Sequence, residues 1–79
     1  MTSQEKYKRI FMETFGIGEE KLKGLQYQDI EEWDSVGHMT LIAALEDEFE
    51  IMMDTDDIID LSSYEKGKEI LVDNYEIEF

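Results

Sequence analysis

The chain has 79 residues, and since a domain of this length buries only roughly 60% of the surface of its unfolded chain, it has no room for an enzyme-sized cleft. It contains no cysteine, which excludes disulfides and cysteine-ligated metals and means that any thiol chemistry must come from an attached cofactor. The formal net charge of −14 opposes binding to nucleic acid and to anionic lipid.

The acidic residues are concentrated in the middle of the chain. All seven basic residues lie outside the stretch from Gly24 to Glu65, which holds thirteen Asp and Glu. Such a stretch attracts basic partner proteins through its long-range electric field. The alternative is that the negative charge serves only to keep the protein soluble. The longest wholly apolar run, residues 41–45, is far shorter than the about 20 residues of a membrane span. With no basic, apolar leader either, we expect a cytoplasmic protein that does not insert into membranes.

The first predicted helix covers about residues 4–14, where apolar side chains recur at spacings of three and four. Gly16 ends it. Residues 17–34 have apolar side chains without a sustained helical period, so we expect a long loop held to the core. Loops of that length are unusual in compact domains and tend to be functional or well tethered. The second helix is predicted over Ser35–Phe49, with Asp34 as its N-cap.

Two further helices are predicted toward the C-terminus. Asp54 or Thr55 caps a short helix, and Ser62 with Glu65 three residues later has the pattern of a capping box for the last helix. The pattern is lost over residues 74–79, which we expect to fray. The sequence therefore predicts one domain over all 79 residues, an all-α bundle of three longer helices and one short helix with a long first loop.

The best candidate for a working residue is Ser35, within the sequence Trp-Asp-Ser-Val-Gly-His-Met at residues 33–39. A serine at a helix start is open to a modifying enzyme, and an anionic group attached there meets free N–H groups and the positive end of the helix dipole. The alternative is a hydrolytic site of Ser35, His38 and Asp34. It is disfavoured because three residues so close on one helix cannot also supply oxyanion donors, and no Gly-x-Ser-x-Gly motif is present. His38 falls on the buried stripe, where we expect it to be bonded to the first loop.

Asp34 and Ser35 followed by an apolar residue, with a helix that ends Leu-Glu-Asp-Glu-Phe at residues 45–49, resemble the phosphopantetheine attachment site of the acyl and peptidyl carrier proteins. The resemblance spans nearly the whole chain and implies the carrier architecture. It implies that a phosphopantetheinyl transferase attaches 4'-phosphopantetheine from coenzyme A to Ser35, beside the cap Asp34. The protein would then be a non-catalytic, monomeric shuttle that holds acyl or aminoacyl groups as thioesters.

The resemblance also implies a docking face on the second helix. In carrier proteins this helix presents an apolar strip ringed by carboxylates to basic patches on loading ligases, synthases and transferases. The matching side chains here are Val36, Met39, Ala43, Glu46 and Asp47. Gly37 stands where housekeeping fatty-acid carriers usually have an acidic residue, so the chain looks more like the dedicated carriers of specialised biosynthetic pathways. A glycine inside a helix also indicates close approach of an arm or partner, or a first turn that tolerates it.

Two other functions agree with parts of the sequence. Asp54, Asp56 and Glu65 occupy the first, third and twelfth positions of an EF-hand loop, which would make the chain a calcium-binding module. Ile58 and Ile59 disagree with it, because they stand where a ligand and a glycine are required, and we predict no metal site. The other alternative is an acidic helical adaptor or nucleic-acid mimic in which the serine is unmodified.

Overall fold

The computed structural model describes all 79 residues, and its regular elements are helices. The helices are α1 (Ser3–Phe15), α2 (Ser35–Phe49), α3 (Thr55–Asp60) and α4 (Tyr64–Tyr75). The loop between α1 and α2 contains a three-residue 3-10 helix, Glu19–Lys21. The predicted bundle of three longer helices, one short helix and a long first loop is confirmed. None of the helices has the length and apolar character that a membrane crossing requires.

The N-terminus of α1 is closed by a reciprocal capping box. The Thr2 hydroxyl accepts the Glu5 N–H, and the Glu5 carboxylate accepts the Thr2 N–H at 3.1 Å. These bonds from Thr2 hold the pKa of Glu5 below its usual range. The helix ends at Gly16, close to the predicted boundary.

A single cluster of fifteen buried apolar side chains holds the elements together. Trp33 from the first loop is fully buried. Its ring stacks on Phe15 with centroids 5.2 Å apart and meets Phe11 edge-on at 5.5 Å. An aromatic ring of this size supplies a large share of the apolar area that a small core buries. The first loop is therefore held to the core, as the apolar residues within it predict.

The contact between Tyr7 of α1 and the backbone of α4 depends on Gly67. The fully buried Tyr7 hydroxyl donates to the Tyr64 carbonyl at 2.7 Å. Burial, followed by the neighbouring Tyr64, raises the pKa of Tyr7 well above its usual range. A Cβ at position 67 would overlap the Tyr7 hydroxyl, so glycine at this position makes room for the buried Tyr7 side chain against α4.

The last helix begins one residue later than the sequence pattern indicates. Ser63, not Ser62, is the N-cap, and its hydroxyl accepts the Lys66 N–H at 3.0 Å. The predicted capping box is wrong because Ser62 belongs to an extended segment, where its carbonyl accepts the Tyr27 N–H at 2.8 Å. Glu65, the other half of that box, instead bonds to the backbone of the first loop.

The chain beyond α4 packs back on the core. Asn74 is helical, α4 continues to Tyr75, and Ile77 is half-buried against the core cluster. The ring of Phe79 lies 5.4 Å from the ring of Tyr7. Fraying of residues 74–79 remains an expectation. In this arrangement Ile77 and Phe79 make core contacts that their spacing along the chain does not reveal.

Candidate functional site

Ser35 is the first residue of α2, and the predicted helix bounds and cap are confirmed. The Asp34 carboxylate accepts the Gly37 N–H at 2.8 Å, which satisfies one of the free donors of the first turn. The Ser35 side chain is exposed. Its hydroxyl is therefore open to a modifying enzyme at the positive end of the helix dipole.

Gly37 is required by the protein's own backbone. A Cβ at this position would overlap the carbonyl oxygen of Glu32 in the first loop. The close approach that a glycine here indicates is therefore made by the Glu32 carbonyl of the same chain, and an arm or partner is not needed to explain it. The absence of a side chain lets the end of the first loop lie directly on the first turn of α2, beside Ser35.

His38, the only histidine, is bonded on both ring nitrogens. The Trp33 indole N–H donates to Nδ1 at 3.0 Å, and an indole can only donate. Nε2 therefore carries the ring proton and donates to the Ile58 carbonyl at 2.7 Å. The expected bond to the first loop is confirmed, and the bond to α3 is an additional finding. Since neither nitrogen is free for Ser35, the geometry gives no support to a hydrolytic site.

Tyr27 is a site residue that sequence patterns did not indicate. Its hydroxyl oxygen lies 3.3 Å from Ser35 Oγ, across eight positions of the chain. Its ring meets the rings of Trp33 and His38 edge-on, with centroids 6.3 and 5.6 Å away. The only signal in the sequence was that Tyr27 is one of the apolar residues of the first loop, which predicts packing and not a partner for the serine.

An apolar cavity of about 340 Å³ opens beside Ser35. The first loop, α2 and α3 all contribute to its lining, which includes Tyr27, Met39, Ile58, Ile59, Leu61 and Ser62. Its volume lies at the lower end of the range for small-molecule sites. The bond from His38 to the Ile58 carbonyl holds α3 in place as one wall. The site therefore combines an exposed hydroxyl with space for a small apolar group.

The residues predicted as a docking face follow one side of α2. Those at the surface are Val36, Met39, Ala43 and Asp47. Val36 and Met39 are 75% and 55% exposed and lie one turn apart, so together they form an apolar strip on the surface of α2. Glu46 is different, because its half-buried carboxylate accepts the Met53 N–H at 2.9 Å. It fixes the turn after α2 and is less available to a partner than Asp47.

The calcium-binding alternative finds no support in the geometry. Residues 55–60 form α3 where an EF-hand needs a loop, and no group of three or more His, Asp or Glu side chains is placed to hold a metal ion. A polar depression of about 630 Å³ lies between α3 and α4. There the Asp57 carboxylate already accepts bonds from Asn74 and Tyr75 at 2.8 and 2.7 Å. Burial and this bond to Asp57 raise the pKa of Tyr75.

Comparison with protein-family models, curated proteins and solved structures finds no match to this chain. Its function is therefore inferred from Ser35 and the residues around it.

Proposed function

We propose that this protein is a carrier that holds acyl or aminoacyl groups on a 4'-phosphopantetheine arm at Ser35 and presents them to partner enzymes. The observation that carries the proposal is the place of Ser35. It is an exposed serine on the first residue of a fifteen-residue helix, next to an apolar cavity. The sequence around it resembles the attachment site of acyl and peptidyl carrier proteins, including the Asp34 that caps α2.

The surroundings of Ser35 suit a bulky anionic attachment. The first-turn N–H groups of α2 and its dipole favour negative charge at this position. Gly37 adds no side chain that would obstruct the hydroxyl. The adjacent cavity of about 340 Å³ accepts a small apolar portion of the arm or its cargo.

Ser35 takes part in one covalent step. Its Oγ forms a bond to phosphorus as coenzyme A loses its adenosine 3',5'-bisphosphate half, and the serine proton leaves to a base of the transferase. When bound, the arm supplies a terminal thiol, which this cysteine-free chain lacks, and cargo is carried there as a thioester. The residues of the chain then bind and present the cargo without turnover of their own.

The surface of α2 supports partners with basic docking patches. Val36 and Met39 form its apolar centre, and Asp47 is an exposed carboxylate about two turns further along the same side. No Lys or Arg occurs between Gly24 and Glu65 to offset the carboxylates there. Opposite charge speeds association, while apolar contact supplies affinity. A phosphopantetheinyl transferase and acyl- or aminoacyl-loading ligases, synthases or transferases are the partners that this surface fits, in a specialised biosynthetic pathway.

Intact-mass analysis after incubation with coenzyme A and a promiscuous phosphopantetheinyl transferase tests the proposal. We expect one added arm on the wild type and none on Ser35→Ala. Ser62→Ala is the matched control, because it removes another exposed hydroxyl at the same cavity and should leave the addition intact. An arm on Ser35→Ala would overturn Ser35 as the attachment site. A wild type that several transferases leave unmodified would overturn the carrier function and favour an acidic adaptor.

A further inference from the structure

The contact between Tyr27 and Ser35 changes character when the serine is modified. In the unmodified chain the two oxygens are 3.3 Å apart, and either can donate the proton. Esterification of Ser35 removes the serine proton, so a hydrogen bond between these groups must then be donated by Tyr27. On the basis of the proposed function, we infer that Tyr27 is a positioning residue whose hydroxyl donates to the phosphodiester at Ser35 and directs the arm toward the cavity.

The charge added at Ser35 has no cationic side chain nearby along the chain. Between Gly24 and Glu65 there are thirteen Asp and Glu and no Lys or Arg. Asp34, the neighbour of Ser35, adds a negative charge of its own. The cavity beside Ser35 is also lined by no Lys or Arg, so a phosphodiester on this side meets neutral donors. Hydrogen bonds to a charged acceptor are among the stronger ones in proteins.

Tyr27 has the side-chain hydroxyl that already contacts Ser35, whereas no hydrogen bond to Ser35 is made by the exposed hydroxyl of Ser62 at the same cavity. The indole N–H of Trp33 and the ring N–H of His38 are committed to other acceptors, at 3.0 and 2.7 Å. The hydroxyl of Thr40 donates to the Val36 carbonyl at 3.1 Å. The Tyr27 hydroxyl has Ser35 as its one hydrogen-bond partner.

The ring of Tyr27 is held where its hydroxyl is needed. The Tyr27 N–H donates to the Ser62 carbonyl at 2.8 Å, and the ring packs edge-on against Trp33 and His38. Tyr27 and Ser35 both line the cavity. When a phosphodiester on Ser35 accepts a bond from this hydroxyl, the arm attached to it therefore starts on the cavity side of Ser35. The bond costs little ordering entropy because the Tyr27 ring is already in place.

Carbon-13 labelling of the hydroxyl-bearing ring carbon in all four tyrosines tests the inference in the wild type. Spectra are compared before and after modification, with resonances assigned through the ring to the backbone. We expect the carbon of Tyr27 to shift most, because the Tyr7 and Tyr75 hydroxyls donate to the Tyr64 carbonyl and to Asp57. An unchanged Tyr27 resonance in a sample whose mass shows the arm would overturn the inference and leave the carrier function intact. A sample without added mass would instead overturn the carrier function.

The phosphorus-31 resonance of the modified protein provides a second, independent readout. We expect Tyr27→Phe to shift this resonance, because the ring remains and only the donor is lost. Tyr75→Phe is the matched control, since it removes a hydroxyl bonded to Asp57, and it should leave the resonance in place. Equal spectra for wild type and a folded, modified Tyr27→Phe would contradict the inference. If Tyr27→Phe does not fold, the wild-type labelling experiment decides alone.

Discussion

Two physical effects give opposite predictions for the stability of the variant Gly37→Ala. On helix propensity alone, alanine stabilises a helix by up to about 1 kcal/mol relative to glycine. In this fold, however, a Cβ at position 37 overlaps the backbone carbonyl of Glu32. Backbone cannot move aside as a side-chain tip can, so we expect Gly37→Ala to lower the free energy of unfolding by about 1–3 kcal/mol, the usual cost of overpacking. Urea unfolding measures it.

Gly18→Ala is the matched control for that substitution. Its Cβ would meet only the carboxylate end of Glu20, a flexible side chain that can rotate away. Its stability should therefore stay close to that of the wild type. A Gly37→Ala variant that is more stable than the wild type would show that the Glu32 carbonyl yields easily.

Side chains that act locally were predictable, and those that act across the fold were not. Asp34 caps α2 by accepting an N–H three residues away, and His38 bonds to a tryptophan five residues away. Tyr27 reaches Ser35 because the first loop folds back on itself, and Glu46 turns inward to the N–H of Met53. Neither contact follows from helical periodicity, because both depend on the path of a loop.

The exposed strip of α2 gives a prediction about docking. Met39→Glu places a charge where Val36 and Met39 form the apolar centre of the proposed docking face. We expect this change to lower kcat/KM for modification by the transferase by roughly tenfold, the effect of losing one central apolar contact. The rate is followed by intact mass at low substrate concentration, with circular dichroism as the check on the helix.

Met52→Glu is the matched control in that experiment, because it replaces an exposed methionine by the same charge at another position. Met52 is 88% exposed but lies in the turn after α2, so this variant adds the same charge outside the proposed docking face. Its modification rate should remain near that of the wild type. Equal rates for Met39→Glu and the wild type would place the docking surface elsewhere.

The helices themselves were more predictable than their ends. The bounds of α2 follow from its recurring apolar residues, of which Leu41, Ile42 and Leu45 are buried, and from the cap Asp34, so sequence and structure agree at both ends. The start of α4 was misplaced by one residue because Ser62 and Ser63 are both good caps in isolation. Pairing of the adjacent chain with the first loop decides between them, and this pairing is invisible to a local pattern.

Over the whole molecule, unbalanced negative charge should make stability depend on salt. The ion pairs involve Lys6, Lys8 and Arg9, and within the acidic stretch they reach Glu48 alone. The molecule measures 29 × 27 × 20 Å. Charges therefore interact across it at about 0.01 M ionic strength, where the Debye length is about 30 Å, but not at about 1 M, where it is about 3 Å. We expect the Tm to rise with sodium chloride over this range.

Asp60→Asn tests whether this effect comes from the acidic stretch. Asp60 is exposed at the C-terminal end of α3, where a negative charge also opposes the helix dipole. The variant should gain about 0.3–1 kcal/mol of stability at low ionic strength and show a smaller rise in Tm with salt. A flat Tm for the wild type across the salt series would show that the carboxylates do not destabilise the fold.

The hydrogen bonds on both ring nitrogens of His38 affect how long a thioester cargo would survive hydrolysis. An activated ester held near a free imidazole is exposed to attack by water, because a neutral imidazole is an effective general base near neutral pH. This chain has one histidine and no thiol, and both nitrogens of that histidine are occupied by Trp33 and Ile58. In the proposed carrier, His38 then does not catalyse hydrolysis of the loaded thioester, which leaves more time for diffusion between enzymes.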